Sequence, residues 1–210
     1  MGSYLSIITL KVNGLNAPTK RQNWPNVFRT KPPIYAVYKI PTSNQRTDLK
    51  LQGWKVVLHA NGEQKKAEGT ILISDKIDFE IKTVRWDKEG HYIMIKESIQ
   101  EDITIINICA PNIGAPKYVR QMLINMKGEI NNNTIIVRDL NTPFTPMDRS
   151  MKQKLNKETQ AWNDTMDQFV LIDIYRASHS KSINFTFFSS EHRTFSRIDH
   201  ILVHKSRIIK

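Results

Sequence analysis

Cysteine is almost missing from this 210-residue chain, with Cys109 standing alone. A single thiol excludes an intrachain disulfide and a cysteine-based zinc cluster, and it suits a reducing compartment, cytosol or nucleus. Long apolar runs are missing too. No stretch approaches the eighteen or so apolar residues of a membrane span, and the first residues lack the basic-then-apolar pattern of a secretory signal. No membrane is therefore expected among the partners. Internal repeats and low-complexity segments are absent as well. Acidic residues are scarce: 20 Asp and Glu stand against 31 Lys and Arg, a formal charge of +11, and the pI is near 9.7. Such a surplus favours a polyanion, nucleic acid ahead of an anionic membrane.

What is present reads as an ordinary globular chain. Hydrophobic residues make up 40% and charged residues 24%, which excludes disorder on composition. The length fits one domain with a sizeable core, so a single monomeric domain over 1–210 is expected. Short apolar runs bounded by turn formers dominate: Ile7–Leu10, Ile34–Tyr38, Val56–Leu58, Thr70–Ile73, Phe79–Val84, Tyr92–Ile95 and Ile103–Ile108. Each predicts a strand. Helical spacing marks Ala115–Ile130, through Val119, Met122, Leu123 and Met126, and Lys154–Phe169, through Leu155, Trp162, Met166 and Phe169. Strands are expected again at Asn184–Phe188 and Ile198–Val203. A helix over 18–29 would carry Pro25 inside it, where a proline costs about 3 kcal/mol. Short strands with helices in crossover positions predict a layered α/β sandwich.

Four polar spots stand beside apolar runs: Lys11-Val12-Asn13-Gly14, Cys109-Ala110-Pro111-Asn112, Asp139-Leu140-Asn141 and Ser196-Arg197-Ile198-Asp199-His200. Asp139 and Asn141 follow the β-branched run Thr134–Val137, and strand alternation puts residues i and i+2 on one face. A carboxylate and an amide projecting together can hold a metal, a water or a phosphate oxygen. Singly, each spot has a structural explanation: Asp139–Pro143 as a capped turn, Asp199-His200 as a satisfied surface pair. Their order and spacing together are more specific.

That order resembles the endonuclease/exonuclease/phosphatase family, which includes exonuclease III, the apurinic/apyrimidinic endonucleases and DNase I. Within it the sequence is similar to the endonuclease domain of LINE-type retrotransposons. The carrying stretches are Asn13–Pro18, Asp87–Met94, Ala110–Pro116, Asp139–Pro143, Asp148–Ser150, Leu171–Arg176, Thr186–Ser189 and Ile198–Ile201. The resemblance implies a four-layer α/β sandwich of the DNase I type and hydrolysis of DNA phosphodiesters with a divalent metal, usually Mg²⁺. It implies that Asp139 and Asn141 position water and phosphate, and that Asp199 orients a histidine. Asn112, Arg149 and Thr186 match residues that line the DNA groove, where amide, guanidinium and hydroxyl groups suit backbone contacts. DNA is the implied partner, with RNA as the alternative.

The chain also departs from the family. The asparagine ending the first family strand is Lys11 here, and the glutamate that is the principal metal ligand is Lys39. Cys109 replaces a tyrosine that contacts phosphate, and Arg138 a glycine. The family closes with a Ser-Asp-His motif and a last strand, and the chain is expected to stop at Lys210 short of both. A unit charge about 4 Å from a divalent ion is worth about 8 kcal/mol at an effective dielectric of 20, and a charged lysine offers magnesium no oxygen ligand. The sequence therefore predicts a degenerate nuclease domain, its principal Mg²⁺ ligand gone and its catalysis lost or strongly impaired; the alternatives are a non-catalytic nucleic-acid-binding module on the same fold and a residual metal-dependent nuclease. Lys11 and Lys39 read as drift, or as two ammonium groups that hold a phosphate in the metal's place. Cys109 reads as a buried, inert thiol.

Overall fold

A computed structural model describes residues 7–11, 35–40, 54–59, 68–75, 80–87, 91–98, 102–108, 110–111, 114–140, 143–150 and 157–208. The chain divides into two compact units, 1–109 and 110–210.

The first unit is built of strands. β1 (Ile7–Lys11) runs parallel to β2 (Tyr35–Ile40), and β2 and β3 (Trp54–His59) both pair antiparallel with β4 (Glu68–Ser74). The order is β1-β2-β4-β3. β5 (Glu80–Trp86), β6 (Tyr92–Ser98) and β7 (Asp102–Ile108) form an antiparallel meander. Ile71, Leu72 and Ile73 of β4 are all buried, as are Ile93, Met94 and Ile95 of β6 and Ile105 and Ile106 of β7. Burial of consecutive residues means that both faces of these strands are covered, and β4 lies against β6 and β7. Each such side chain contributes about 1.5–3 kcal/mol. β5 is mostly exposed and carries Lys82 and Arg85, charges that blunt a strand edge against pairing with other chains. The β5–β6 turn is closed by Asp87, whose Oδ1 accepts from the backbone N–H of His91 at 2.6 Å and of Tyr92 at 3.1 Å.

The second unit places helices beside three strands. β12 (Asp199–His204) pairs antiparallel with β8 (Thr134–Asp139) on one side and β9 (Leu171–Asp173) on the other. α1 (Ala115–Asn125) and α2 (Lys157–Gln168) pack together, and α3 (Ile174–Ser178) follows β9 directly. β10 (Phe187–Ser189) and β11 (Thr194–Ser196) make a separate hairpin. Gly114 caps α1 at φ 72°, a conformation that favours glycine. α1 buries Ala115, Val119, Met122 and Leu123, the face that the helical spacing marks.

The structure corrects several expected boundaries. α1 ends at Asn125, five residues early, because i→i+3 and i→i+4 turn bonds around Gly128 take over at Lys127, Glu129 and Ile130. The strand expected at Asn184–Phe188 begins at Phe187. β9, β11 and α3 carry too few residues for periodicity to mark them. The Pro25 helix lies outside the described residues.

Val170 sits at φ 53°, between α2 and β9. A β-branched residue there is strained by about 1–2 kcal/mol, and its carbonyl is held by the Lys205 N–H at 2.8 Å. The side chain is 44% exposed, so little burial offsets the strain. Val170→Asn should raise stability by about 1 kcal/mol in urea titrations; a drop in stability would contradict this account.

Candidate functional site

The candidate residues divide between the units, with Lys11 and Lys39 in the first and Asp139, Arg149, Thr186 and Asp199 in the second. Asn112, Asn141 and Cys109 lie outside the described residues.

In the first unit, Lys11 ends β1 and Lys39 is the penultimate residue of β2, and the two are direct register partners. In the second, antiparallel pairing sets Asp139, the last residue of β8, opposite Asp199, the first of β12. The pairing continues one step further, through the Leu140 N–H to the Ile198 carbonyl at 2.9 Å. Sixty residues of sequence separate these aspartates, and the register joins them.

Thr186 and Arg149 are tied to the same stretch of chain. Thr186 Oγ1 accepts from the backbone N–H of Ile198 at 3.1 Å and of Asp199 at 3.3 Å. Its own N–H donates to the Ser196 carbonyl at 2.9 Å. Arg149 forms an isolated antiparallel bridge to Ser196, flanked by Arg197 N–H to the Asp148 carbonyl at 2.8 Å and Ser150 N–H to the Phe195 carbonyl at 3.0 Å. The hairpin beside them exposes Phe187, Phe188 and Phe195, with the Phe188 and Phe195 rings 4.7 Å apart. Arg149 and Phe187 flank Ser196 in register, and the Phe188–Phe195 pair lies on the other face of the hairpin; a rim of exposed rings and a hydroxyl suits a nucleic-acid strand, whose phosphates accept hydrogen bonds and whose bases stack.

Beneath this rim lies a buried ionic network. Arg197 Nη1 and Nη2 donate to the two oxygens of Asp173 at 2.7 and 2.9 Å. The Nδ1 of His200, 2.7 Å from Asp173 Oδ2, donates to that carboxylate, because an ionised carboxylate only accepts. Asp148 lies 3.6 Å from Arg197 and takes both Nε and Nη2 of Arg176. Its other oxygen accepts from the N–H groups of Phe144 at 3.1 Å and Thr145 at 2.8 Å. Arg176 Nη1 reaches the Ser182 carbonyl at 2.6 Å. The Tyr175 ring lies under the Arg197 guanidinium at 4.5 Å, and Phe144 stacks on His200 at 3.7 Å. Two carboxylates thus meet two guanidinium groups, so the ionic pairs balance. His200 is therefore a buried member of this network and not half of a surface pair with Asp199, the explanation that its motif taken singly would have. Motif stretches around Asp148, Asp173 and Arg197 were legible, but nothing in their spacing linked residues 148, 173, 176, 197 and 200.

Burial alone would raise the Asp173 carboxyl; the bonds from His200 and Arg197 outweigh it and hold the group at about 2. Asp148 is lowered too, with burial overcome by Arg176 and the Thr145 N–H.

Divalent magnesium takes hard oxygen ligands in near-octahedral order. The resemblance assigns the principal metal ligand to position 39, where this chain has Lys39, and a charged ammonium offers the ion no oxygen.

No family model matches the chain. Solved structures do. The 3′ phosphatase NExo from Neisseria, bound to product DNA hairpin, is 20% identical with a TM-score of 0.71 over 98% of this chain and 89% of that one. The AP endonuclease LMAP from Leishmania major is 13% identical, TM-score 0.73, over 97% and 80%. The endonuclease domain of TRAS1, a telomere-specific non-LTR retrotransposon, is 11% identical, TM-score 0.67, over 94% and 85%. The fold is therefore α/β and DNase I-like, and its structural neighbours are exonuclease III/AP endonuclease-like enzymes, in line with the resemblance read from the motifs. At these identities the likeness is one of fold.

Both depressed carboxyls stabilise the folded chain above the ordinary carboxylate pKa, about 3.9, and that stability is lost as pH falls toward about 2. Between those limits the parent should lose about 2 kcal/mol through Asp173 alone. Asp173→Asn should cost about 3 kcal/mol at pH 7, by taking from the buried Arg197 its bidentate carboxylate, and should flatten the acid limb. Urea titrations from pH 7 to 2 check both; identical acid limbs in parent and variant would contradict the assignment.

Proposed function

We propose that this chain is a DNA-contacting domain of nuclease fold, of the LINE-type retrotransposon endonuclease kind, in which metal-dependent phosphodiester cleavage has been lost. The observation that carries this reading is the in-register pairing of Lys11 with Lys39 at the carboxyl ends of β1 and β2. The family resemblance assigns those positions to an asparagine and the metal-holding glutamate. Replacing the carboxylate with an ammonium reverses the local sign of charge, and both changes fall on one strand pair. Nucleic acid as the partner is supported by the +11 charge, by the Arg149 and Thr186 rim, and by structural neighbours solved with DNA, NExo and a TDP2 from D. rerio. DNA takes precedence over RNA because those neighbours are DNA-bound.

The parent chain should leave supercoiled plasmid intact in Mg²⁺ or Mn²⁺ over hours. Nicking that disappears in Asp139→Ala would sink the proposal. A second readout needs no turnover. The parent should melt at the same temperature with and without Mn²⁺, whereas the Lys11→Asn, Lys39→Glu double variant should gain several degrees, since a ligand held only by the folded state raises its stability.

A further inference from the structure

We propose that Lys11 and Lys39 together form a metal-independent site for a backbone phosphate of DNA. The inference rests on the nucleic-acid reading above and adds the chemistry that holds the strand.

Directly paired residues of adjacent strands share one face of a sheet, and like charges placed opposite each other there destabilise the pair. Lys11 and Lys39 are such a pair. Their row continues to Gly69 on β4, opposite Lys39, a residue with no side chain to set against them. Two residues back on the same face are Thr9, Val37 and Ile71, none of them acidic. Glu68 stands opposite Ile40, one residue along and so on the other face by alternation. Among the described strand positions of this face, the row of two ammonium groups has no acidic neighbour in register.

An anion is the group that turns this repulsion into attraction. The place suits one: β1 and β2 are adjacent and parallel, and open α/β sheets bind ligands outside the carboxyl ends of their strands. Each lysine brings three donors and a full positive charge to a phosphate oxygen, acting as a point charge. Two of them supply the countercharge that a divalent ion supplies in a metal site, without needing carboxylates to hold that ion.

The test is binding of a fluorescent duplex oligonucleotide in EDTA, with the salt concentration varied. The parent should bind in EDTA, with an affinity that falls steeply as salt rises. Lys39→Gln and Lys11→Asn should each reduce the slope of log K against log salt by about 1, and the double variant should bind roughly tenfold more weakly at low salt. Lys11→Arg with Lys39→Arg should keep the slope. Lys127→Gln with Lys181→Gln, exposed positions of the second unit, serve as the charge-matched control. A double variant that matches this control overturns the site, as does a parent that binds only when Mg²⁺ is added. A measurement on the parent covers the case in which the variants do not fold: DNA should protect Lys11 and Lys39 from acetylation, read by mass spectrometry, and equal modification with and without DNA overturns the site. Plasmid nicking on the same preparation separates the two proposals. Nicking would remove the loss of cleavage and leave the phosphate site to the salt slopes; unchanged slopes without nicking would remove the phosphate site alone.

Discussion

The second unit depends on one buried interaction, the bidentate contact of Arg197 with Asp173. Asp173 is the last residue of β9 and caps α3 through the Tyr175 N–H, while Arg197 stands between β11 and β12. Their pairing fixes the strand that carries Asp199 against the segment that begins the helix. His200 and Asp148 extend the contact, so the loop at 144–149 is bound into the same arrangement. Buried ions are costly unless each finds its partner, and this network leaves neither guanidinium without a carboxylate. The orientation of Thr186 and of the Arg149 bridge follows, since both attach to backbone between Ser196 and Asp199.

On the proposed reading, this support lets the rim persist after cleavage is lost. Among the described residues, the network is built from residues of the second unit alone. Binding and cleavage are thus separable in physical terms: binding needs positive charge and stacking faces, whereas cleavage needs a specific set of oxygen donors.

Legibility from sequence followed the range of the forces involved. Strands such as β4, β7 and β8 were plain because buried β-branched runs have few other uses, and Trp162 and Leu123 announced the inner faces of α2 and α1. β9 and α3 carried no periodic signal, being three and five residues long, and are held by contacts with β12. Asp139 and Asp199 were recognised through family motifs, yet their direct opposition is a matter of register. Alternation along β12 turns His200 off the face of Asp199, but it cannot say that Asp173 lies on the other side.

Sequence by itself determined the charge, the lone thiol, the run of strands and the lysines at two site positions, since each is a property of residue identity or local period. Tertiary structure alone decided that Lys11 faces Lys39 in register, that Asp139 faces Asp199, and that residues 148, 173, 176, 197 and 200 share one buried network. These are pairings across many residues of chain. They are settled by which strands align and by the need of every buried charge for a partner, and neither condition is written in a local pattern.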